Sequence, residues 1–498
     1  MFQVCEQMKY KLLRTKFLLP LSNVLGRDTR ITDGFILTEG QHIKEVGHFD
    51  DQRGQEIIDT YGSELEIIGT TIGEIKKREV PQINGVALPG FVKAHGHDHE
   101  SPIIGIAKDV PLTTWLDSAV NLFTGFLHSE EESLTKHFGK SPYLITYLKA
   151  RIDDLQHGIT TALVHHCNFN KYHVDELVEA NQMAGTKIMI AVGSQDRHYD
   201  PRILDKPAII AVERLDKLNE KYKDSVDIKI IPGPDQFFSN GPELLRILKK
   251  WAQDHNSLIH IHSSEESATT RWFTEKYRMT PVEYGHSISF FDENTFIAHQ
   301  VHTTHNDLQI LAQTQTKVVH NPLANTILGS GMPPIQEFKR RGIEFAISTD
   351  GSGSADNQNI INAARVAAQY QKALHQDASL MTAQDVLERI TIIPAQILGF
   401  NTGSLEPGKL ADIIVVDLSA PNLTPTRLDN VVENLIWAAN GNEIRYVISN
   451  GKILINDYLF MFLNVQEIIQ QVQELSEKFY EFKRRTRPEN TTGISERA

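Results

Sequence analysis

The sequence predicts an α/β fold: a closed (β/α)8 TIM-like barrel with a small β-sandwich domain built from both chain ends. Three observations predict it. Between residues 90 and 395, short β-branched runs alternate with helical stretches, and eight such runs can be counted. Eight parallel βα units are the number that closes a barrel. Both flanks, 1–88 and 400–457, are instead rich in short strands and turn signals. Neither flank alone buries much core, so one domain made of both is the economical arrangement. Finally, 498 residues exceed a usual single domain. A doubly wound open sheet is the alternative.

Composition narrows the class. Hydrophobic residues at 40% and charged ones at 23% are ordinary for a globular protein. A net charge of −13 argues against nucleic acid as a partner. No apolar run approaches the length of a transmembrane helix, so no membrane partner is expected. The two cysteines, Cys5 and Cys167, make no disulfide framework and fit a reducing cytoplasmic setting. Phe17–Leu21 follows several basic residues, as in a signal peptide. Pro20 within the run, and the lack of a small-residue cleavage site, favour an edge strand. A small molecule is the expected partner.

In chain order, Asp33-Gly34 and Glu39-Gly40 are turn signals around Phe35-Ile36-Leu37. Residues 51–80 are polar and mixed, an inserted loop or helix. Barrel strands are expected at 90–95, 160–166, 187–192, 228–231, 258–262, 295–299, 316–319 and 344–349. The chain returns to strands and turns at 403–416 and 446–452. Residues 463–485 read as a helix with Val465, Ile468, Ile469, Val472, Leu475, Phe479 and Phe482 on one face. Such a face docks onto its own chain or, alternatively, onto a second copy, and a homo-oligomer is expected. The last dozen residues are polar and read as frayed. The expected domains are therefore 1–88 with 400–457, the barrel at 89–399, and a helix and tail at 458–498.

Barrel enzymes place their chemistry at the C-terminal strand ends, and there the polar residues cluster. His95 and His97 end the first strand. Residues i and i+2 of a strand point to one side, so both imidazoles can reach one metal ion. With histidine at 21 of 498 residues, one such pair is expected by chance alone. The downstream pattern is what matters. Leu258–Glu265 ends a strand on His262, with Glu265 three residues on, close enough to move protons to and from a metal-activated water. His260 lies one layer lower and reads as a packing or supporting residue. His299 ends the sixth strand, with His302 and His305 beyond it. Asp350 closes the eighth, where a carboxylate can bind metal and accept a proton. A lone Asp-Gly is otherwise a turn or helix cap.

These motifs resemble the amidohydrolase superfamily, in the branch of aminohydrolases and chlorohydrolases that includes S-adenosylhomocysteine deaminase, guanine deaminase and the triazine hydrolases. The resemblance rests on Pro89-Gly90-Phe91 with His95-Gly96-His97, and on Lys108–Leu112 with Trp115-Leu116. It continues through His262–Glu265, Ala298–His302, His320-Asn321-Pro322 with Asn325 and Gly331, Thr349-Asp350-Gly351, and Gly403–Asp412. It implies one divalent ion held by His95, His97, His262 and Asp350, with zinc the default and iron(II) the alternative. Two-metal members use a carboxylated lysine at a strand end. Lys229 lies short of its strand end and reads as structural.

The implied chemistry is hydrolytic deamination of an amino-substituted nitrogen heterocycle of purine, pterin, pyrimidine or triazine type. Asp350 takes the water proton, Glu265 protonates the ring nitrogen, and His299 orients the attacking oxygen. Trp115, His166, Gln236 and Phe237 are the candidate substrate residues, the aromatic ones as stacking surfaces with core packing as the alternative. Two departures argue against S-adenosylhomocysteine itself. Gly233 stands where adenosine-type deaminases of this branch carry a histidine, and Ile104 precedes Gly105 where an arginine is usual. The alternatives are a hydrolytic dechlorinase or cyclic-amide hydrolase using the same metal site, or an inactive member serving as a binding protein. The Gly351–Asp356 stretch hints at dinucleotide binding but lacks a third glycine.

Overall fold

The computed structural model describes residues 8–70, 80–106 and 109–486. Cys5, Lys108, residues 71–79 and the tail from 487 lie outside that set. The chain opens with β1 (Tyr10–Leu18), β2 (Ile31–Glu39), β3 (His42–His48), β4 (Leu65–Ile67) and β5 (Ile83–Pro89). Eight further strands follow: β6 (Phe91–Lys93), β7 (Ile159–His166), β8 (Lys187–Ser194), β9 (Ile228–Pro234), β10 (Ile259–Ser263), β11 (Thr295–His299), β12 (Lys317–His320) and β13 (Phe345–Ile347). The last four are β14 (Ile413–Asp417), β15 (Ile444–Ser449), β16 (Lys452–Asn456) and β17 (Leu459–Phe460).

The two chain ends meet directly. β14 pairs antiparallel with β5, Ile413 opposite Pro89 and Val415 opposite Ala87. One sheet runs β17-β16-β15-β14-β5-β1-β2-β3, with β4 on β1. A small β-sandwich is the sequence expectation; hydrogen bonds link all nine strands in one sheet. It curls, because the turn after β2 returns to the segment before β14: Ala411 donates its N–H to Gln41 O at 2.8 Å. The run Ile413–Val416 is apolar throughout because both faces are buried. Ile413 and Val415 join Leu13, Ile36 and Tyr446 on one side, while Ile414 and Val416 join the main core on the other. Within 51–80, residues Asp51–Tyr61 form a helix capped by Asp50, whose carboxylate accepts from Arg53 N.

The eight middle strands form two four-stranded parallel sheets, β6-β7-β8-β9 and β10-β11-β12-β13, and helices separate the strands. The sheets approach each other at both edges. His262 N donates to Asp235 O at 3.1 Å, and Ser348 Oγ donates to His95 O at 2.7 Å. Val92, Leu163, Met189, Ile231, Phe296, Val319 and Ala346 project from seven of the strands into one cluster, which Ile392–Leu398 caps. On β10 the same alternation places Ile259 and Ile261 in the outer core and leaves His260 and His262 facing inward. Lys229 donates to Leu398 O and Gly399 O, at 3.0 and 2.6 Å, and so caps that helix.

The helix Val465–Thr486 lies on its own chain. It buries Ile468, Val472, Leu475 and Phe479, and the Phe479 ring meets Phe123 edge-on at 5.1 Å. Among the described residues, no helix is long and apolar enough to cross a membrane.

Candidate metal centre and active site

His95, His97, His262, His299 and Asp350 come from four strand ends far apart in sequence and meet in one buried cluster. The chain turns sharply where it delivers them. Ser264, His299, Gln300 and Asp350 all have left-handed backbone, with φ of 49°, 72°, 49° and 74°. Non-glycine residues seldom adopt it, and such strain persists only where the surroundings enforce it. At Asp350 the enforcement is visible. Gln358 Nε2 donates to Asp350 O at 3.1 Å, while Gln358 Oε1 accepts from Thr349 Oγ1 and Lys93 Nζ. Gly96 permits the approach, since a Cβ there would stand 3.1 Å from Asp350 O.

The hydrogen bonds settle which ring nitrogens are free. His260 donates from Nδ1 to Phe296 O at 2.8 Å, so its Nε2 accepts from His95 Nδ1, also at 2.8 Å. His95 Nε2 is left without a proton or a partner. His97 donates from Nδ1 to His165 O at 3.0 Å, and His262 from Nδ1 to Asp235 O at 2.7 Å. Three unprotonated Nε2 atoms therefore converge. Those of His97 and His262 are 3.2 Å apart. Asp350 Oδ1 stands 3.3 Å from His95 Nε2 and 3.6 Å from His97 Nε2. Burial, then the neighbouring histidines, push the His95 ring well below its usual range; burial does the same to His97. Four lone-pair donors facing one point repel one another, and a divalent cation relieves that repulsion. The residues fit a metal.

Next to these stand two groups suited to moving protons. His299 Nε2 lies 3.6 Å from Glu265 Oε2 and 3.6 Å from Asp350 Oδ2. Its Nδ1 faces the Asn325 amide at 3.0 Å and the Asn321 amide at 3.4 Å. With those amides donating, the ring proton sits on Nε2 and points at the cluster. Burial, and then the charge of Asp350, push the Glu265 carboxyl well above the usual carboxylate range. The same two causes raise Glu100, whose Oε2 accepts from Ser354 N and Oγ.

A cavity opens over the cluster. Trp115, Gln236, Tyr199 and Asp235 line it together with His97, His262, Glu265, His299 and Asp350. Phe237 lines an adjoining pocket and packs on Phe290 and Phe291, with ring centroids 5.5 and 5.9 Å away. His166 turns the other way, its ring 5.1 Å from Tyr147, and does not line the cavity. Its neighbour His165 faces the cluster instead, 4.5 Å from the His262 ring. The error is one residue, and on a strand one residue exchanges faces. The loop after β9 also needs correction. Gly233 packs against the Ala191 backbone, and the residue aimed into the cavity is Asp235. Burial raises the Asp235 carboxyl, but donors from His165 and Tyr199 and the nearby imidazole charge outweigh it, so it lies below its usual value. Alternation along 159–166 was the available signal for His165; nothing local marks Tyr199.

The chain is 30% identical over 411 residues to a 5'-deoxyadenosine deaminase of Methanosphaera stadtmanae, covering 81% of this chain and 92% of that protein. A 5-methylthioadenosine/S-adenosylhomocysteine deaminase of Thermococcus kodakarensis is 30% identical over 422 residues, 84% of this chain and 93% of the relative. Among solved structures, an adenosine deaminase from Xanthomonas campestris with bound zinc superposes with a TM-score of 0.80 at 20% identity, covering 95% and 98% of the two chains. The zinc complex of atrazine chlorohydrolase from Arthrobacter aurescens gives 0.78 at 21% identity, covering 94% and 100%. These neighbours and the His/Asp cluster together support a divalent metal site. The amidohydrolase family model matches residues 86–454, from β5 to β16, and the chain belongs to that family.

Proposed function

We propose that the protein is a metal-dependent aminohydrolase that removes an amino group from a nitrogen heterocycle by attack of water, releasing ammonia. The observation that carries this reading is the convergence of three unprotonated imidazole nitrogens and Asp350 beside a buried Glu265 whose carboxyl is pushed well above the usual range. The deaminase names of the relatives support it.

His95, His97, His262 and Asp350 would hold one divalent ion, zinc by preference with iron(II) the alternative. That ion supplies a Lewis acid that lowers the pKa of water toward neutrality. The chain's own groups do the rest. Asp350 takes the water proton. His299 donates from Nε2 to the attacking oxygen and stabilises the tetrahedral adduct. Glu265 delivers its proton to the ring nitrogen beside the reacting carbon, so no charge accumulates there. The amine leaves with the proton that Asp350 took, and as the carbonyl forms the adduct's hydroxyl proton returns to Glu265. Trp115 offers a stacking face, and Gln236 an amide, to the ring.

The reading extends to the whole chain. The two four-stranded sheets are taken as one closed (β/α)8 barrel over 89–399. Residues 1–88 with 400–457 are one end domain, and 458–498 a docking helix and tail. The two cysteines suit a cytoplasmic enzyme of small molecules. Ile469 and Tyr480, exposed on the C-terminal helix, would face a second copy in a homo-oligomer.

The test is metal analysis with an assay of ammonia release across aminopurines, pterins, pyrimidines and aminotriazines. Stripping the metal should abolish release, and zinc should restore it. Chloride release from a chlorotriazine with no ammonia from any ring would replace this reading with a dechlorinase.

A further inference from the structure

Asp235 is a buried carboxylate that no step above uses; it is 5% exposed, and the cavity is what it faces. Its backbone oxygen is committed to His262, but its side chain is not. Oδ2 accepts from the Tyr199 hydroxyl. Oδ1 stands 3.5 Å from His165 Nε2 and 3.9 Å from His262 Nδ1, the latter already donating elsewhere. Even with His165 donating to it, Oδ1 keeps a second lone pair as acceptor capacity. The Tyr199 oxygen, its proton spent on Asp235, also presents lone pairs to the cavity.

The remaining lining points the same way. Glu100, Glu265 and Asp350 also face the cavity, and none of the described residues lining it is lysine or arginine. Away from the proposed metal ion, a carboxylate or phosphate on the substrate would meet acceptors and, among the described residues, no lysine or arginine. A ring N–H or exocyclic amine would meet Asp235 and Tyr199. A site built to bond a polar group strongly rejects the analogue that lacks it, because its own buried group is then left unpaired.

We propose that Asp235, supported by Tyr199, is a specificity-determining residue that selects flat rings carrying an N–H donor in addition to the amine that is released, and excludes acidic rings. This rests on the deaminase reading for the identity of the ligand as a substrate.

The test uses the metal-loaded full chain and two probe pairs that all carry the amine to be released and no ring N–H, the amino member of each pair carrying one further amino group: 9-methyl-2,6-diaminopurine against 9-methyladenine, and 2,4-diaminopyrimidine against 4-aminopyrimidine. Binding is read by calorimetry. The wild type should bind the amino member at least about tenfold more tightly. Asp235→Ala should erase that preference while metal content stays unchanged, since the His262 bond uses the backbone. Asp235→Asn, which keeps one acceptor, should retain part of it. Equal binding of the paired rings by the wild type, or an Asp235→Ala loss of the same size for both, overturns the assignment. Ammonia release is scored separately. A wild type that releases ammonia but binds the pairs equally loses only this assignment. One that prefers the amino rings yet releases no ammonia loses the deaminase reading and keeps this one.

Discussion

At the scale of single residues, His95, His97 and His262 each keep one ring nitrogen occupied so that the other is free. The partner is a backbone carbonyl for His97 and His262, and another imidazole for His95. Glu265 differs in that burial and the Asp350 charge push its carboxyl well above the usual carboxylate range. Glu265→Gln removes that proton donor and keeps the shape. It should lower kcat about 10²- to 10⁴-fold with full metal content, and a fully active variant sinks the assignment. His166 supplies a different prediction. Burial lowers its pKa from 6.5 to about 3, and both ring nitrogens lack partners. The folded state thus binds fewer protons than the unfolded one. Its contribution to stability is intact above pH 6.5 and is lost as pH falls toward 3, at about 1.4 kcal/mol per pH unit. His166→Phe should flatten the fall in denaturant midpoint between pH 6.5 and 5 relative to wild type. An unchanged slope would mean that the ring is not held neutral.

At the scale of elements, the strands present alternate faces and their ends carry the chemistry. β10 shows this in five residues: isoleucines outward, His260 and His262 inward. The turn after β13 depends on a clamp. Gln358→Leu removes the donor to Asp350 O and the acceptor for Thr349 and Lys93. It should weaken metal binding about 10- to 100-fold, read by competition with a chelator. The C-terminal helix is anchored by Phe479, wholly buried against Phe123 and Phe126. Phe479→Ala should cost about 3–5 kcal/mol, seen as a lower melting temperature. A cost below 1 kcal/mol would mean the helix is detached in solution. The helix face was legible from its spacing, because amphipathic period is a local property. Its docking partners were not, since Phe123 and Phe126 lie some 350 residues away.

At the scale of the whole molecule, the end sheet is bolted to the middle strands by a buried ion pair. Lys187 on β8 reaches Asp412 at 2.5 Å, just before β14, and also bonds Ser449 and Asn450. Asp412→Ala would strand the lysine charge in the core. The expected loss is about 3–5 kcal/mol, measured as a shift in denaturant midpoint at neutral pH. A change within experimental scatter would show that the pair carries no net burden in holding the two parts together.

The sequence by itself marked the eight middle strands and their order, and placed His95, His97, His262, Glu265, His299 and Asp350 at or just past their ends. Those follow from a two-residue alternation and from motifs that sit within ten residues. Tertiary structure alone decided that β5 and β14 knit both chain ends into one sheet. It likewise chose His165 over His166 and brought Tyr199, Asp235 and Asn325 around the cluster. The reason is physical: which face of a strand turns inward, and which distant side chains meet there, is set by packing across the sheets, an interaction no local stretch of chain encodes.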